Sequence, residues 1–368
     1  MKEKQDEQFM YMALKEARKG LGRTSPNPCV GAVIVKSDRV IAKGYHKKAG
    51  TAHAEIDAIR NSTESLSGAT IYVTLEPCNH TGKTPPCSQA ILEMGFSRVV
   101  VGMTDPNPLV NGGGIDFLRN NGIEVVTGVL EQDCMSLNLP FIKHITQGIP
   151  WTIMKAGVSL DGRLNYQHGH SGWITGEKSA REVHKLRNKV DAILVGRKTV
   201  EVDNPSLTTR LPRGLSKDPI RIILDSDLST SLASKVYHLD SEAPTWVVCA
   251  VDAPPSKREG FQKLGIRLIE IERMGKDLDL HLLLKVLGRE NICSILVEGG
   301  ARLHGSFLRL KLFDYAHLFY APLFAGDQGV SLIEGYQVQN RHTAPRLVDV
   351  THKRLGDDIL ISGQVKYL

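Results

Sequence analysis

The chain contains 368 residues, of which 41% are hydrophobic and 23% charged, and it carries a formal net charge of +6. This length accommodates two domains of ordinary size, each with a core of its own. The positive charges form no basic run, which argues against a nucleic-acid groove and suits small anionic ligands, although a slightly basic solvated surface explains the charge equally well.

No stretch of the sequence approaches the ~18 consecutive apolar residues of a membrane span. The first residues, 1–7, are mostly charged and lack the apolar core of a signal peptide. Scattered through apolar segments, Cys29, Cys134, Cys249 and Cys293 have the pattern of reduced core residues. We therefore predict a cytoplasmic protein that does not enter a membrane.

The first part of the chain alternates helical and strand patterns. Apolar residues at helical spacing predict a helix over residues 9–17, which Gly20 ends, and further helices begin at His53 and Cys87. Short apolar runs rich in β-branched residues predict strands at residues 29–35, 40–44, 69–75 and 98–103. Polar site residues at the ends of strands and the starts of helices indicate an α/β architecture.

His53, Cys78 and Cys87 form the ligand set of a catalytic zinc site, which has three protein ligands and leaves the fourth position to water. Zinc lowers the pKa of such a water towards ~7, and Glu55 would carry a proton from the water to a base and on to the departing amine. These are the groups that a zinc-dependent base deaminase requires. The alternatives are a structural zinc site, which usually has four ligands and close cysteine pairs, and cysteines that are merely buried.

Further residues are candidates for binding a substrate beside this zinc set. Asn27 lies between two prolines that fix φ on both sides, so its amide could be held against the polar edge of a pyrimidine; a simple turn is the alternative. His46, Lys83 and Thr84 carry donors that could meet a ribose phosphate, although exposed loop residues of these types are common. We interpret His80 as a pocket residue, because a fourth protein ligand would exclude the water.

Glycine and proline in the segment 147–150 interrupt both periodicities, which predicts domains at residues 1–147 and 150–368. The second half has its own alternation, with helices at 177–187 and 278–287. Apolar runs predict strands at residues 151–156, 192–196, 220–225, 245–250, 266–271 and 293–297, with a final pair at 316–320 and 358–365. Together these strands would form a mixed sheet.

A glycine-rich turn, Glu298-Gly299-Gly300, lies between the strand at 293–297 and a helix that begins near Arg302. Glycines at such a turn let backbone N–H groups approach a phosphate at a helix N-terminus. The turn lacks the Gly-x-Gly-x-x-Gly fingerprint, so a Rossmann domain is not predicted, and a tight packing turn is the alternative.

Several motifs resemble the bifunctional riboflavin-biosynthesis deaminase-reductase family. Its deaminase half is matched by residues 24–31, the triplet His53-Ala54-Glu55 and residues 77–87. The long loop from Cys78 to Cys87, ending Thr-Pro-Pro-Cys, sets this family apart from cytidine and tRNA deaminases. Motifs between Lys155 and Arg210 are similar, in order, to its reductase half. The resemblance implies a cytidine-deaminase-like α/β/α domain followed by a dihydrofolate-reductase-like α/β domain.

The chemistry of that family would run in two steps. Zinc-dependent hydrolytic deamination of 2,5-diamino-6-(5-phosphoribosylamino)pyrimidin-4(3H)-one, with one Zn²⁺ per deaminase site, gives 5-amino-6-(5-phosphoribosylamino)uracil. NADPH then reduces the ribosyl group to ribityl, and the choice of NADPH over NADH rests on the resemblance alone. The proton donor of the reduction is open between Lys155 and Asp161, and Asp161 could equally be a turn residue ahead of Gly162.

Carried over position by position, the resemblance implies binding residues in the reductase half. The phosphoribosyl substrate would contact Ser171, Arg187, Leu207, Arg210 and Glu298. NADPH would contact Lys155, Trp173, Thr199, Asp203 and the turn Gly299, Gly300, Ala301, Arg302, Leu303, His304, Gly305 and Ser306. Arginines suit phosphate through bidentate hydrogen bonds, and a carboxylate suits ribose hydroxyls.

We expect the phosphoribosylated pyrimidine as partner, no nucleic acid, and a homo-oligomer, either a dimer or a tetramer, because two catalytic domains would share an intermediate. The main alternative is a nucleoside or tRNA-base deaminase with an appended accessory domain. Such an enzyme should show clustered basic residues with aromatic residues for stacking, whereas only 6% of this chain is aromatic. A zinc-stabilised binding module and a chain with one inactive half are further alternatives.

Overall fold

The computed structural model of the chain describes residues 2–79, 85–107, 113–212 and 216–368. Its contacts divide the chain into two compact units, Met1–Ile149 and Pro150–Leu368, here called the first unit and the second unit. Within the described ranges, no helix is both long and apolar enough to cross a membrane.

The first unit contains a five-stranded sheet and helices that pack on it. Its strands are β1 (Gly31–Lys36), β2 (Arg39–Tyr45), β3 (Thr70–Leu75), β4 (Arg98–Met103) and β5 (Glu124–Val126). The helices in the described ranges are α1 (Lys2–Ala17), α2 (Ala54–Arg60), α3 (Cys87–Glu93), α4 (Gly113–Asn120), α5 (Glu131–Leu137) and α6 (Leu139–Gln147). Helix α1 is longer than predicted because its first two turns are polar and show no apolar periodicity.

The sheet of the first unit has the strand order β2-β1-β3-β4-β5, with β1 antiparallel to both neighbours and with β3, β4 and β5 parallel. Helix α2 packs directly on β2 at Gly44, where a Cβ would lie 2.2 Å from the backbone nitrogen of Ala58. The carboxyl ends of the parallel strands β3 and β4 meet at one edge of the sheet. The predicted zinc ligand Cys78 therefore lies just after the buried strand β3, at that edge of the sheet.

The second unit contains a nine-stranded sheet and one separate two-stranded hairpin within the described residues. Its strands are β6 (Trp151–Val158), β7 (Ala192–Gly196), β8 (Ile220–Leu224), β9 (Thr245–Ala250), β10 (Arg267–Ile271), β11 (Arg273–Met274), β12 (Asp277–Leu278), β13 (Ser294–Val297), β14 (Tyr315–Tyr320), β15 (Arg346–Leu355) and β16 (Asp358–Lys366). Its helices are α7 (Glu177–Arg187), α8 (Arg197–Asp203), α9 (Pro255–Lys263), α10 (Leu280–Arg289) and α11 (Ala301–Arg309).

The large sheet is mixed, as the sequence predicts. Its parallel part has the order β10-β9-β8-β7-β13-β6-β14, and β16 and β15 continue it antiparallel. Strand β15 was not predicted, because most of its residues are exposed and show no apolar alternation. The carboxyl ends of β6, β7 and β13 share one edge, which is where ligands of open parallel sheets bind. Of the predicted substrate and cofactor residues, Lys155 lies within β6, Thr199 follows β7 and Glu298 follows β13.

Candidate zinc centre and reductase cleft

The predicted zinc ligands come together at the edge of the first unit's sheet. His53 is the N-cap of α2, Cys78 follows β3, and Cys87 is the first residue of α3. His53 Nδ1 lies 3.5 Å from Cys78 Sγ and 3.3 Å from Cys87 Sγ, and all three atoms are within 4.8 Å of one another. A tetrahedral zinc with bonds of ~2.0 Å to nitrogen and ~2.3 Å to sulfur separates such ligands by about 3.5 Å. The spacing therefore fits a zinc ion, and the described residues contain no second group of this kind.

The local hydrogen bonds favour a thiolate at Cys78. The side chain of Cys87 and then His53 lower the pKa of Cys78 to about 4, and the Cys87 backbone N–H also donates to Cys78 Sγ at 3.4 Å. The hydrogen bond between the His53 ring and the Cys78 side chain raises the pKa of His53 to about 9. A dication would replace the protons that these groups share, because zinc ligands are thiolates and neutral imidazoles.

Glu55 lies in the first turn of α2, and its side chain is 3% exposed. Its carboxyl group contacts the Cys87 side chain, and burial raises the pKa of Glu55 to about 7. A carboxyl group with a pKa near the working pH can both accept and return a proton. The structure therefore places the candidate proton carrier Glu55 against Cys87, one of the candidate zinc ligands.

Asn27 and His46 are joined beside this cluster. His46 Nδ1 donates to the backbone oxygen of Ala52 at 3.0 Å, so its Nε2 is the acceptor for the Asn27 Nδ2 group at 3.0 Å. The His46 ring also meets the His53 ring edge to face at 5.7 Å, and burial lowers the pKa of His46. Because both ring nitrogens of His46 are engaged, it orients the Asn27 amide, and a direct contact with a ribose phosphate would require one of these bonds to break.

Lys83 and Thr84 lie outside the described residues, as does His80. Their predicted contacts with the substrate therefore stay predictions. The ligands that flank this segment, Cys78 and Cys87, are described.

A mostly buried group of charges lies at the carboxyl edge of the second unit's sheet. Arg187 donates to both carboxylate oxygens of Glu298 at 2.8 Å, and Lys155 Nζ lies 3.7 Å from the same carboxylate. Burial opposes the charge of Glu298, but Arg187 and Lys155 outweigh it and lower the pKa of Glu298 to about 2. Burial also lowers the pKa of Lys155, against the pull of Glu298. Two cations and one ionised carboxylate thus face each other at this edge of the sheet.

His184 was not predicted as a site residue, yet it holds Arg210. The backbone N–H of Arg210 donates to His184 Nδ1 at 3.2 Å, and Arg210 Nε lies 3.4 Å from His184 Nε2. Burial, Arg187 and Arg210 lower the pKa of His184, which favours the neutral ring. A neutral imidazole accepts at one nitrogen only, so Nδ1 accepts from the Arg210 backbone and the approach of Arg210 Nε to Nε2 is a contact without a second hydrogen bond. The signal in the sequence was its position three residues before Arg187, on the same face of α7.

Comparisons with known proteins assign a family to each unit. Residues 150–361 match the profile of the RibD C-terminal domain, and residues 3–103 match that of the cytidine and deoxycytidylate deaminase zinc-binding region. The riboflavin biosynthesis protein RibD of Bacillus amyloliquefaciens is 41% identical over 359 residues, which cover 97% of this chain and 96% of the relative. The chain belongs to the RibD family. It is a bifunctional deaminase and reductase of riboflavin biosynthesis, and the predicted fold class and activities are confirmed.

Solved structures cover 99–100% of this RibD-family chain. RibD of Acinetobacter baumannii superposes with a TM-score of 0.88 at 36% identity and covers 99% of both chains. A diaminohydroxyphosphoribosylaminopyrimidine deaminase/5-amino-6-(5-phosphoribosylamino)uracil reductase of Thermotoga maritima gives 0.86 at 36% identity over 100% of both chains. The predicted cofactors are confirmed as well: zinc serves the deaminase domain and NADPH the reductase domain.

Asp161, one of the two candidate proton donors of this RibD-family reductase, is a loop anchor in the structure. It accepts hydrogen bonds from the Ser159 hydroxyl at 2.5 Å and from the backbone N–H groups of Ala325 at 3.0 Å and Gly326 at 2.8 Å. These bonds, the Ser159 bond first, lower the pKa of Asp161 to about 2. An ionised carboxylate whose oxygens accept three hydrogen bonds is a poor acid, which favours Lys155.

The remaining predicted contacts differ in what they can offer a ligand. Leu207 has a φ of +54° and a side chain buried in the core, so only its backbone could contact the substrate. His304 is fully buried in α11, with Nδ1 3.3 Å from the backbone oxygen of Leu332. Contacts of His304 and the buried Ser306 with NADPH would therefore also have to come from the backbone.

Other predicted residues lie where a ligand could reach them. Trp173 is 67% exposed and Ser171 is exposed nearby in sequence. Thr199 and Asp203 lie on α8, which begins directly after β7. Gly300 is the N-cap of α11 and follows β13, so the turn from Gly299 to Arg302 presents backbone N–H groups at the same edge, whereas the Leu303 N–H donates to the backbone oxygen of Gly300 at 3.0 Å.

Proposed function

We propose that residues 1–147 deaminate 2,5-diamino-6-(5-phosphoribosylamino)pyrimidin-4(3H)-one and that residues 150–368 reduce the product, 5-amino-6-(5-phosphoribosylamino)uracil, at its ribosyl group. The observation that carries the first step is the His53, Cys78 and Cys87 cluster, with its zinc-like spacing, beside the buried Glu55. The Thermotoga maritima protein, whose name states these two activities, aligns over the whole chain and supports the choice of substrate.

In the deaminase step, His53, Cys78 and Cys87 would hold the zinc ion. Zinc, when bound, would supply a positive charge that lowers the pKa of a water, so that hydroxide is available as the nucleophile near neutral pH. Glu55 takes one proton from this water and passes it to a ring nitrogen of the pyrimidine, while the oxygen bonds to the carbon that carries the amine. Glu55 then takes the second proton from the hydroxyl group on that carbon and passes it to the amine, so that the carbon–nitrogen bond breaks, a carbonyl group forms and ammonia leaves. Asn27, held by His46, presents its amide to the polar edge of the ring. Lys83 and Thr84 would bind the ribose phosphate.

In the reductase step, NADPH supplies the hydride that C1 of the opened ribose accepts. Arg187, Arg210 and Ser171 would bind the phosphoribosyl group, and Glu298 would orient its hydroxyls. Lys155 would supply the proton, because burial lowers its pKa and makes the ammonium a stronger acid. One hydride and one proton together convert the ribosyl group to ribityl. The turn from Gly299, with Trp173, Thr199 and Asp203, would align the cofactor.

A paired assay on the purified full chain tests this assignment. Ammonia release from the diaminopyrimidine and NADPH oxidation with the aminouracil are measured for wild type, Glu55→Gln and Arg210→Ala. Loss of a proton carrier should slow ammonia release by about 10²–10⁴-fold while NADPH oxidation continues. Arg210→Ala should weaken NADPH oxidation alone.

Matched surface variants show whether these effects belong to the sites. Glu64→Gln and Arg267→Ala remove exposed partners of ion pairs in the first and second unit and should leave both reactions intact. If wild-type protein with stoichiometric zinc performs neither reaction, the assignment is wrong, and cytidine and tRNA are the substrates to test next.

We also propose that the protein is cytoplasmic, binds no nucleic acid and forms a homodimer or homotetramer. The absence of a basic run and the aromatic content of 6% support the second statement. A shared intermediate between two catalytic domains supports the third. Light scattering after size-exclusion chromatography would measure the assembly, and a monomer mass would refute the oligomer.

A further inference from the structure

Glu76 stands between β3 and Cys78 and is only 3% exposed. Its carboxylate accepts three backbone N–H groups from two separate segments: Asp105 at 3.1 Å, Gly114 at 3.0 Å and Ile115 at 3.3 Å. Its own backbone N–H donates to the oxygen of Met103 at 3.0 Å. One side chain thus joins the turn that carries a zinc ligand to the end of β4 and to the first turn of α4.

Helix α4 packs on this turn without any space between them. A Cβ on Gly114 would lie 1.9 Å from the backbone oxygen of Pro77, so the two backbones touch. Ile115 and Leu118 anchor the helix in the hydrophobic core of the first unit. A helix N-terminus also favours a negative charge, which adds to the hydrogen bonds of the carboxylate. The core therefore reaches the turn through α4.

Cys78 is held from its other side by α3. The backbone N–H of Cys87 donates to Cys78 Sγ at 3.4 Å, and that of Ser88 donates to the Cys78 oxygen at 3.2 Å. These bonds tie Cys78 to its fellow ligand. The hydrogen bonds of Glu76 connect the turn that carries Cys78 to the sheet edge and to α4.

We propose that Glu76 is a positioning residue of the zinc centre: by holding the first turn of α4 and the segment after β4, it keeps the thiolate of Cys78 at ligand distance from His53. The inference rests on the proposed zinc ligation by His53, Cys78 and Cys87. A ligand that is held before the metal arrives loses less conformational freedom on binding, so zinc affinity should depend on Glu76.

The test is zinc affinity of full-length Glu76→Gln, measured by competition with a chromogenic chelator. The amide keeps the size of the side chain but offers one acceptor oxygen in place of two, so we expect a zinc Kd about 10–100-fold weaker than that of wild type. Asp6→Asn is the matched control. It also removes a buried carboxylate from the first unit, but its partner Arg98 begins β4, at the opposite end from Met103.

Asp6→Asn should lower the unfolding midpoint of the first unit and leave zinc affinity within about threefold of wild type. Equal zinc affinity in wild type and Glu76→Gln would overturn the inference, as would an equal loss in both variants. Wild type that binds no zinc would instead overturn the proposed ligation itself, so the two failures are distinguishable.

Hydrogen exchange of the wild-type protein provides a test that needs no variant. Removing zinc should accelerate amide exchange in α4, and especially at Gly114 and Ile115, relative to β1 of the same unit. If the amides of α4 exchange at the same rate with and without zinc, Glu76 does not couple this helix to the turn that carries Cys78, and the inference fails.

Discussion

Replacing Glu298 with Gln should destabilise the second unit by about 3 kcal/mol, because it leaves two mostly buried cations without this counter-charge. The Arg187 and Glu298 side chains are 13% and 7% exposed, and Lys155 Nζ lies 3.7 Å from the same carboxylate. Removing one partner of a buried pair costs about 3–5 kcal/mol, and an amide that still accepts a hydrogen bond places the loss at the lower end.

Arg267 and Glu290 provide a control with the same chemistry and a different environment. They form a bidentate pair at 2.8 and 2.6 Å, but their side chains are 47% and 33% exposed. Glu290→Gln should therefore cost only about 0–1 kcal/mol. The difference between the two variants isolates the effect of burial.

Urea unfolding followed by tryptophan fluorescence is the assay. All three tryptophans, Trp151, Trp173 and Trp246, lie in the second unit, so the signal reports that unit within the full chain. Equal losses from the two variants, or a loss below about 1 kcal/mol for Glu298→Gln, would refute the reasoning.

The pH dependence gives the same prediction an independent check. The pKa of Glu298 falls from its ordinary value of 4.5 to about 2 on folding. A lowered carboxyl pKa stabilises the folded state fully above the unfolded value and loses that effect as the pH falls through the folded one. The stability gap between wild type and Glu298→Gln should thus be constant above about pH 5 and shrink below it. A gap that widens in acid would contradict the assignment of charge.

Three further outcomes are expected. Chelation of zinc should stop ammonia release while NADPH oxidation with the aminouracil persists; loss of both reactions would argue against separate sites. His184→Ala should raise the KM of the phosphoribosyl substrate about tenfold and leave the KM of NADPH unchanged, since it removes the contacts that hold Arg210. A substrate KM equal to that of wild type would exclude this role of His184. Asp161→Asn should lower kcat of the reductase less than about tenfold, whereas a loss above about 10²-fold would restore Asp161 as the proton donor.

The amino-acid sequence alone was enough to predict the three candidate zinc ligands and, through the family resemblance, the fold class and both activities. Residue types and their spacing indicate a zinc site, because zinc accepts few combinations of three ligands. His53, Cys78 and Cys87 form one of these combinations. The inner parallel strands β4, β9 and β13 are short and buried at every position, which makes them visible as apolar runs. The polar first turns of α1 and the exposed strand β15 carry no such pattern, and they were missed for that reason.

Only the tertiary structure decided which polar groups are already bound to one another. Glu76 meets Gly114, and His184 meets Arg210, across chain separations that no local pattern encodes. The same holds for Asp161, whose backbone partners lie more than 160 residues away and convert a candidate acid into an anchor. Hydrogen bonds depend on distance and direction in space, whereas spacing along the chain fixes geometry only within one helix or strand.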